Sequence, residues 1–300
     1  MELWIVASVA AALFQTVRFM LQKVLSIDVL STAGATFARF AYAAPASLVV
    51  TLVWLNATGA AFPDLHLAFW GYALQGALSQ IFATVCVVAL FRQRNFAVGI
   101  TFKKTEVIQA AILGVAFFGD AVSLAGWGAI LIGLIGLLLL SRSPTTNEGF
   151  LKGLTSRATI LGLSSGFLFA LSGTSYRAAS LELASDDAML RASVTLTCVT
   201  MSQLAGMALW LRWREPGQVT AVWRARSVAV WVGLTSMAGS LGWFLAFTLQ
   251  TAAYVKAVGQ IELIFSMMAS VLFFKEKITA REYAGIGFLA LSILTFVLVL

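Results

Sequence analysis

Long apolar runs, each about the length of a membrane crossing, alternate with short polar breaks throughout the chain. A bilayer core of about 30 Å takes roughly 20 apolar residues of helix. Ten such runs follow one another, near residues 3–22, 33–55, 67–90, 96–118, 122–140, 158–181, 190–211, 228–250, 255–274 and 281–300. Most breaks are brief and carry turn or polar residues, as in NATGAAFPD, RQRN and GD. The longest polar stretch, SRSPTTNEGFLKGLTSR at 141–157, leaves five runs on either side. The expected architecture is an all-α integral membrane protein with ten transmembrane helices. It divides into residues 1–141, a connector at 142–157, and residues 158–300.

The two halves resemble each other. Shifting residues 95–118 forward by 156 positions lays Glu106 on Glu262, Ile108 on Ile264, Val115 on Val271, and FFGD on FFKE; one insertion later Gly128 meets Gly285. Apolar matches carry little weight, but the charged ones recur in helix order. Arg18 in run 1 has a counterpart in Arg177 of run 6, and Arg39 in run 2 has one in Arg191 of run 7. With five spans per half the second half enters the membrane in the opposite sense, which predicts two inverted five-helix repeats. That plan recurs in transporters whose substrate sites lie near the midplane between the halves.

Composition agrees with this picture. Of 300 residues, 60% are hydrophobic and 11% charged, where a soluble domain carries about a quarter charged residues. The mean hydropathy is +0.91. The net charge of +7 reports membrane topology rather than an acidic partner, so no nucleic acid is expected. Cys86 and Cys198 lie in apolar runs and suggest no disulfide. With a single histidine, His66, neither a metal site nor a cofactor is expected. There is no phosphate-binding G-x-x-x-x-G-K-[ST] loop. The start, MELWIVASVAA, has an acid where a signal peptide has bases, and reads as a retained first helix.

The breaks after odd-numbered runs hold thirteen basic residues: Lys23, Arg92, Arg94, Arg142, Lys152, Arg157, Arg212, Arg214, Arg224, Arg226, Lys275, Lys277 and Arg281. The breaks after even-numbered runs hold essentially none, and LELASDDAML is acidic. The excess of bases on cytoplasmic loops then places both termini outside.

Each half closes on an acidic turn followed by a Gly-rich run, FFGDAVSLAGWGAILIGLIGLLLL and FFKEKITAREYAGIGFLALSILTFVLVL. With ten runs in a five-plus-five repeat, the chain resembles the drug/metabolite transporter (DMT) superfamily, its EamA-type bacterial branch above all. The resemblance covers essentially the whole length and implies a transporter of the bacterial inner membrane. The usual acidic turn of that family is Gly-Glu; here it is Gly119-Asp120 and Lys275-Glu276. Many members keep both termini in the cytoplasm, and the charge count argues the reverse.

Seven bases fall inside the runs, Arg18, Arg39, Lys103, Lys104, Arg177, Arg191 and Lys256, with two acids, Glu106 and Glu262. Such charges need a partner or a wet cavity. Arg18, Arg191 and Lys256 lie near run ends and have stems long enough to snorkel. Glu106, about 15 Å along run 4, is too short to do so. Lys103 shares its helix face and is placed to pair with it; Lys104 points elsewhere, toward run 9. Gln15, Arg18 and Gln22 make one polar stripe on run 1, and Tyr72, Gln75 and Ser79 another on run 3. Pro45 is expected to kink run 2. Thr235, Ser236, Gly239, Ser240 and Trp243 on run 8 read as a packing face.

The expected site is a cavity where runs 4 and 9 face each other. Its substrate-binding set is Lys103, Lys104, Glu106, Arg39, Gln15, Arg18, Gln75, Lys256, Gln260 and Glu262. Lys103, Lys104 and Arg39 would hold an anionic group; Glu106 and Glu262 would hold an ammonium or a coupling proton. The partners expected are a small anionic or zwitterionic metabolite, such as an amino acid or organic acid, and the lipid bilayer, the chain acting as a monomer or weak homodimer. An exporter of cationic drugs and a passive channel are the alternatives. No convergent nucleophile set suggests an enzyme.

Overall fold

The structure is a computed structural model that describes residues 2–106, 109, 124–141, 155–250, 255–256 and 258–299. Among these residues the fold is wholly helical, with no strand. The helices are α1 (Leu3–Asp28), α2 (Thr32–Thr58), α3 (Leu67–Phe91), α4 (Phe96–Lys103), α5 (Leu124–Ser141), α6 (Arg157–Leu181), α7 (Ala188–Arg214), the short α8 (Gln218–Arg224), α9 (Arg226–Leu249), α10 (Ile261–Met268) with a π-helical turn at Ala269–Phe273, and α11 (Ala280–Val299). Helix is what a bilayer demands, since it satisfies backbone polar groups within the segment. Six helices, α1, α2, α3, α6, α7 and α9, are long and apolar enough to cross a membrane. They mark the chain as a multi-pass membrane protein.

Local signals set the helix ends. Ser31 and Ser156 accept hydrogen bonds from the backbone N–H of Gly34 (2.9 Å) and Thr159 (3.2 Å), capping α2 and α6. Asp187 caps α7 by accepting from Met189 (2.8 Å) and Leu190 (3.1 Å). Gly59 stops α2 in the left-handed region at φ 65°. Thr279 and Glu282 form a reciprocal capping box before α11: Glu282 accepts from the Thr279 N–H at 2.9 Å, and Thr279 from the Glu282 N–H at 3.3 Å. The helix α2 runs on through Pro45.

Runs 4 and 9 depart from the expected uninterrupted helices. The chain turns at Lys104–Thr105 and again at Gly259–Gln260. At both places the bonding tightens to i→i+3, from Thr105 N–H to the Phe102 carbonyl (3.2 Å) and from Glu262 N–H to the Gly259 carbonyl (3.2 Å). Under the 156-residue shift the two turns fall within a residue or two of each other. The first-half acidic turn at Asp120 and residues 142–154 of the connector lie outside the described residues.

The main packing partners are α3 with α6, α1 with α9, α5 with α11, and α2 with α7; α4 meets α10. Small residues permit the closest approaches. A Cβ on Gly136 of α5 would lie 2.8 Å from the Gly285 carbonyl oxygen of α11, and one on Gly242 of α9 would lie 2.8 Å from that of Ala7 in α1. An aromatic cluster fills the middle, with Phe19 edge-on to Phe91 at 5.6 Å and to Phe169 at 6.4 Å between centroids.

Candidate functional site

The centre of the site is Glu262, a fully buried carboxylate near the start of α10. Lys103 Nζ lies 3.0 and 2.9 Å from its two oxygens, and Lys104 Nζ 2.8 Å from Oε2. Gln15 Nε2, arriving from α1, is 3.0 Å from both oxygens. Lys104 also donates to the Gly259 carbonyl at 2.8 Å, so it ties the turn in run 9 to the turn in run 4. A carboxylate offers about four acceptor directions, and these donors occupy them.

The expected pairing of Lys103 with Glu106 is therefore corrected. Among the described residues the ion pair of Lys103 is with Glu262, not Glu106. The i, i+3 argument needs a continuous helix, and the chain turns between the two residues. Lys104, by contrast, does point toward run 9. Glu106 is buried and lies against the cavity, and among the described residues no donor reaches its carboxylate.

The cavity measures about 60 Å³ in the space open to water centres, and both halves of the chain line it. Its polar wall is Gln15, Arg39, Gln80, Lys103, Lys104, Glu106 and Lys256, with Ser172 and Ser240. Its apolar wall is aromatic: Phe169, Tyr176, Trp243, Phe244 and Phe247. Tyr176 and Phe244 stack at 4.5 Å, and Trp243 and Phe247 at 6.0 Å. Arg39 is held in place by three hydroxyls rather than by a carboxylate. Its Nε donates to Ser236 (2.7 Å), Nη1 to Thr84 (3.1 Å) and Nη2 to Ser240 (3.2 Å).

Four expected residues do not line the cavity; one is Glu262, fully buried beneath its donors. Arg18 is fully buried behind it, stacked 3.8 Å over Phe19 and donating to Gln22 at 2.8 Å; snorkelling is ruled out for it. Gln260 is buried, with Nε2 on the Lys256 carbonyl at 2.8 Å. Gln75 is exposed on the outer face of α3, and Gln80 faces inward in its place. The inward face of α3 is written in small residues, Gly76, Ala77 and Ala83.

The other two arginines of the spans, Arg177 and Arg191, are half-buried and close helix ends. Arg177 Nη1 donates to the carbonyls of Phe247 and, at 2.6 Å, Gln250, at the end of α9. Arg191 donates to Leu183 at 3.1 Å and Leu181 at 3.3 Å, at the end of α6.

A second polar cluster closes one end of the bundle. Lys23 near the C-terminal end of α1 pairs with Glu276, whose Oε2 accepts from the Phe96 N–H at the start of α4 (2.8 Å). Arg94 pairs with Glu282 at 3.2 Å. Nearby, Asn95 donates to the Lys277 carbonyl at 3.1 Å. Lys275 takes the left-handed conformation, φ 52°, at the position where the resembled family carries glycine. Among the described residues no cluster of histidine, cysteine or carboxylate side chains is arranged to hold a metal.

No family model matches the chain, and no curated protein matches it. Solved structures do share its fold. One, described only as "Crystal structure of protein", is 12% identical over 97% of this chain and 95% of its own, with a TM-score of 0.63. At that identity the likeness extends to the fold alone, and it covers nearly the whole chain.

Proposed function

We propose that the protein is a secondary transporter that moves a small organic anion or zwitterion across the membrane by alternating access. The observation that carries this reading is the cavity: cations from both halves converge with an aromatic wall inside a bundle of membrane-spanning length. Lys103, Lys104, Arg39 and Lys256 supply positive charge for a carboxylate or phosphate, and the stacked rings supply a face for an organic body. Glu106 is the coupling carboxylate, or the acceptor for a substrate ammonium. Glu262, first expected to share that role, instead fixes the two lysines.

The packing supports ten spans in two inverted halves. Exchanging the halves carries the α3–α6 contact onto α9–α1 and returns α2–α7, α5–α11 and α4–α10 onto themselves. A two-fold relation between halves has this consequence, and the paired turns at Lys104 and Gly259 obey it too. The ion pairs Lys23–Glu276 and Arg94–Glu282 join the halves at one end, as a closed gate would. Bases are concentrated in the sequence around that end, which supports the reading that it faces the cytoplasm with both termini outside. The EamA-like reading of the sequence, a bacterial inner-membrane protein that is no enzyme and acts as a monomer or weak homodimer, fits this arrangement.

The test is thermal unfolding of the purified protein against organic acids, amino acids, nucleosides and cationic amphiphiles. Stabilisation by anionic or zwitterionic metabolites, weakened in Lys104→Ala and Glu106→Gln, is the expected result. Stabilisation by cationic amphiphiles alone would overturn the proposal and make the carboxylates the binding groups.

A further inference from the structure

The cavity holds more positive charge than its own residues balance. Arg39, Lys103, Lys104 and Lys256 line it, Arg18 lies within Coulombic reach behind it, and the carboxylates among them are Glu106 and Glu262. Five cations against two anions leave three positive charges in a region of low dielectric, where Coulomb terms are large. Glu262 is saturated by Lys103, Lys104 and Gln15. The excess therefore falls on Arg39, Arg18 and Lys256.

Hydrogen-bond accounting gives the same sign. The Lys256 ammonium meets no acceptor among the described residues, and it lines the cavity. Trp243 Nε1 on the same wall is buried with no acceptor among the described residues. Arg39 has five N–H groups and directs three into hydroxyls. The Lys256 and Trp243 side chains approach the same stretch of wall. A Cβ on Gly173 would lie 3.8 Å from Lys256 Cε and 3.5 Å from Phe247, the ring that stacks on Trp243. Beside Gly173 the unmet groups are the donors of Lys256 and Trp243, while Glu106 and Gln260 Oε1 are the unmet acceptors nearby; buried donors left unmet are costly.

Size decides which anion fits. One water needs about 10–15 Å³ of such space, so about 60 Å³ admits a few waters or one small ion. An organic substrate needs a wider cavity, of roughly 300 Å³ or more.

From these observations we infer that the cavity is a binding site for a small inorganic anion of chloride size, held by Lys256, Arg39 and Trp243 Nε1. The organic anion displaces this ion when it enters, so the site carries an anion in either state. The inference rests on the cavity assigned above and extends it: substrate binding is competitive with halide.

The experiment replaces gluconate with chloride or bromide at constant ionic strength and follows unfolding through the thiols of Cys86 and Cys198. In parallel, bromide quenching of tryptophan fluorescence is measured. The expected result is a saturable rise in Tm with halide, and a saturable quenching component that Trp243→Phe removes. Lys256→Gln is expected to raise the half-saturating halide concentration about tenfold, the loss of one charge-assisted hydrogen bond. Among the described residues the Lys256 ammonium makes no hydrogen bond, so this variant is expected to keep the helix packing. A Tm that does not respond to halide, or a Lys256→Gln response equal to the parent's, would overturn the inference. Halide binding without stabilisation by any organic anion would leave this inference standing and remove the transport proposal. Organic-anion binding unaffected by halide would do the reverse.

Discussion

Glu106 and Glu262 stand in register across the two halves of the chain, yet the structure gives them opposite surroundings. Glu262 is enclosed by two ammonium groups and an amide. Glu106 faces the cavity with no donor on it among the described residues. The arginines divide in the same way: Arg18 and Arg39 of the first half are buried beside the cavity, while Arg177 and Arg191 of the second cap carbonyl ends. Under the repeat proposed above, one copy of each charge serves the architecture and the other lies beside the cavity. Sequence symmetry locates the charges, and local pairing decides what each one does.

The sharpest way to break this contrast is to neutralise each glutamate in turn. Glu262→Gln leaves Lys103 and Lys104 buried without their counter-charge and is expected to cost about 3–5 kcal/mol of stability, read as a large drop in Tm. Glu106→Gln is expected to cost less than about 1 kcal/mol. A similar Tm for both variants would erase the distinction. Gln15→Leu removes one donor from the Glu262 clamp and is expected to cost about 1.5–3 kcal/mol, as for a hydrogen bond to a charged group.

In transport the ranking reverses. Glu106→Gln folds normally but is expected to lose about tenfold in uptake rate, with a flattened pH profile. Substrate flux at parent levels with the parent's pH dependence would remove Glu106 from coupling.

Two smaller effects concern the ends of the bundle. Lys275→Gly relieves a side chain held at φ 52° and is expected to raise stability by about 1 kcal/mol. Asp187, outside the spans, has its pKa drawn below the usual carboxylate range. Burial raises it, but the Trp54 Nε1–H at 2.7 Å and the backbone N–H groups of Leu190 and Met189 together prevail. A depressed folded pKa means the stabilisation is full above the unfolded value and is lost as pH falls through the folded one. Asp187→Asn is therefore expected to remove a small acid-side loss of Tm without changing the neutral value much. An unchanged acid limb would show that other carboxylates set it.

Much of the fold was legible because lipid forces a simple code. The described parts of the apolar runs are helical apart from the turns in runs 4 and 9 and the last residues of runs 8 and 9, and T-A-R-E before α11 is a capping box in plain sequence. The turns at Lys104–Thr105 and Gly259–Gln260 were harder to see. Thr105 is flanked by neither Gly nor Pro, and its turn depends on a lysine from one half bonding a carbonyl in the other. The charged half of the cavity was legible because charge is rare in hydrocarbon. Its aromatic half, Phe169, Tyr176, Phe244 and Phe247, was not, since a ring against lipid and a ring against substrate look alike. Gln75 and Gln80 show the same limit: both are amides on one helix, and only packing tells which faces inward.

The central claim is that this cavity carries an organic anion through the membrane. Its most direct test is counterflow in proteoliposomes, using an anionic metabolite that stabilises the purified protein. Vesicles loaded with the unlabelled compound should take up labelled compound transiently above equilibrium, at a rate that saturates with concentration. Uptake that rises linearly without overshoot would show an open pore instead, and would contradict alternating access.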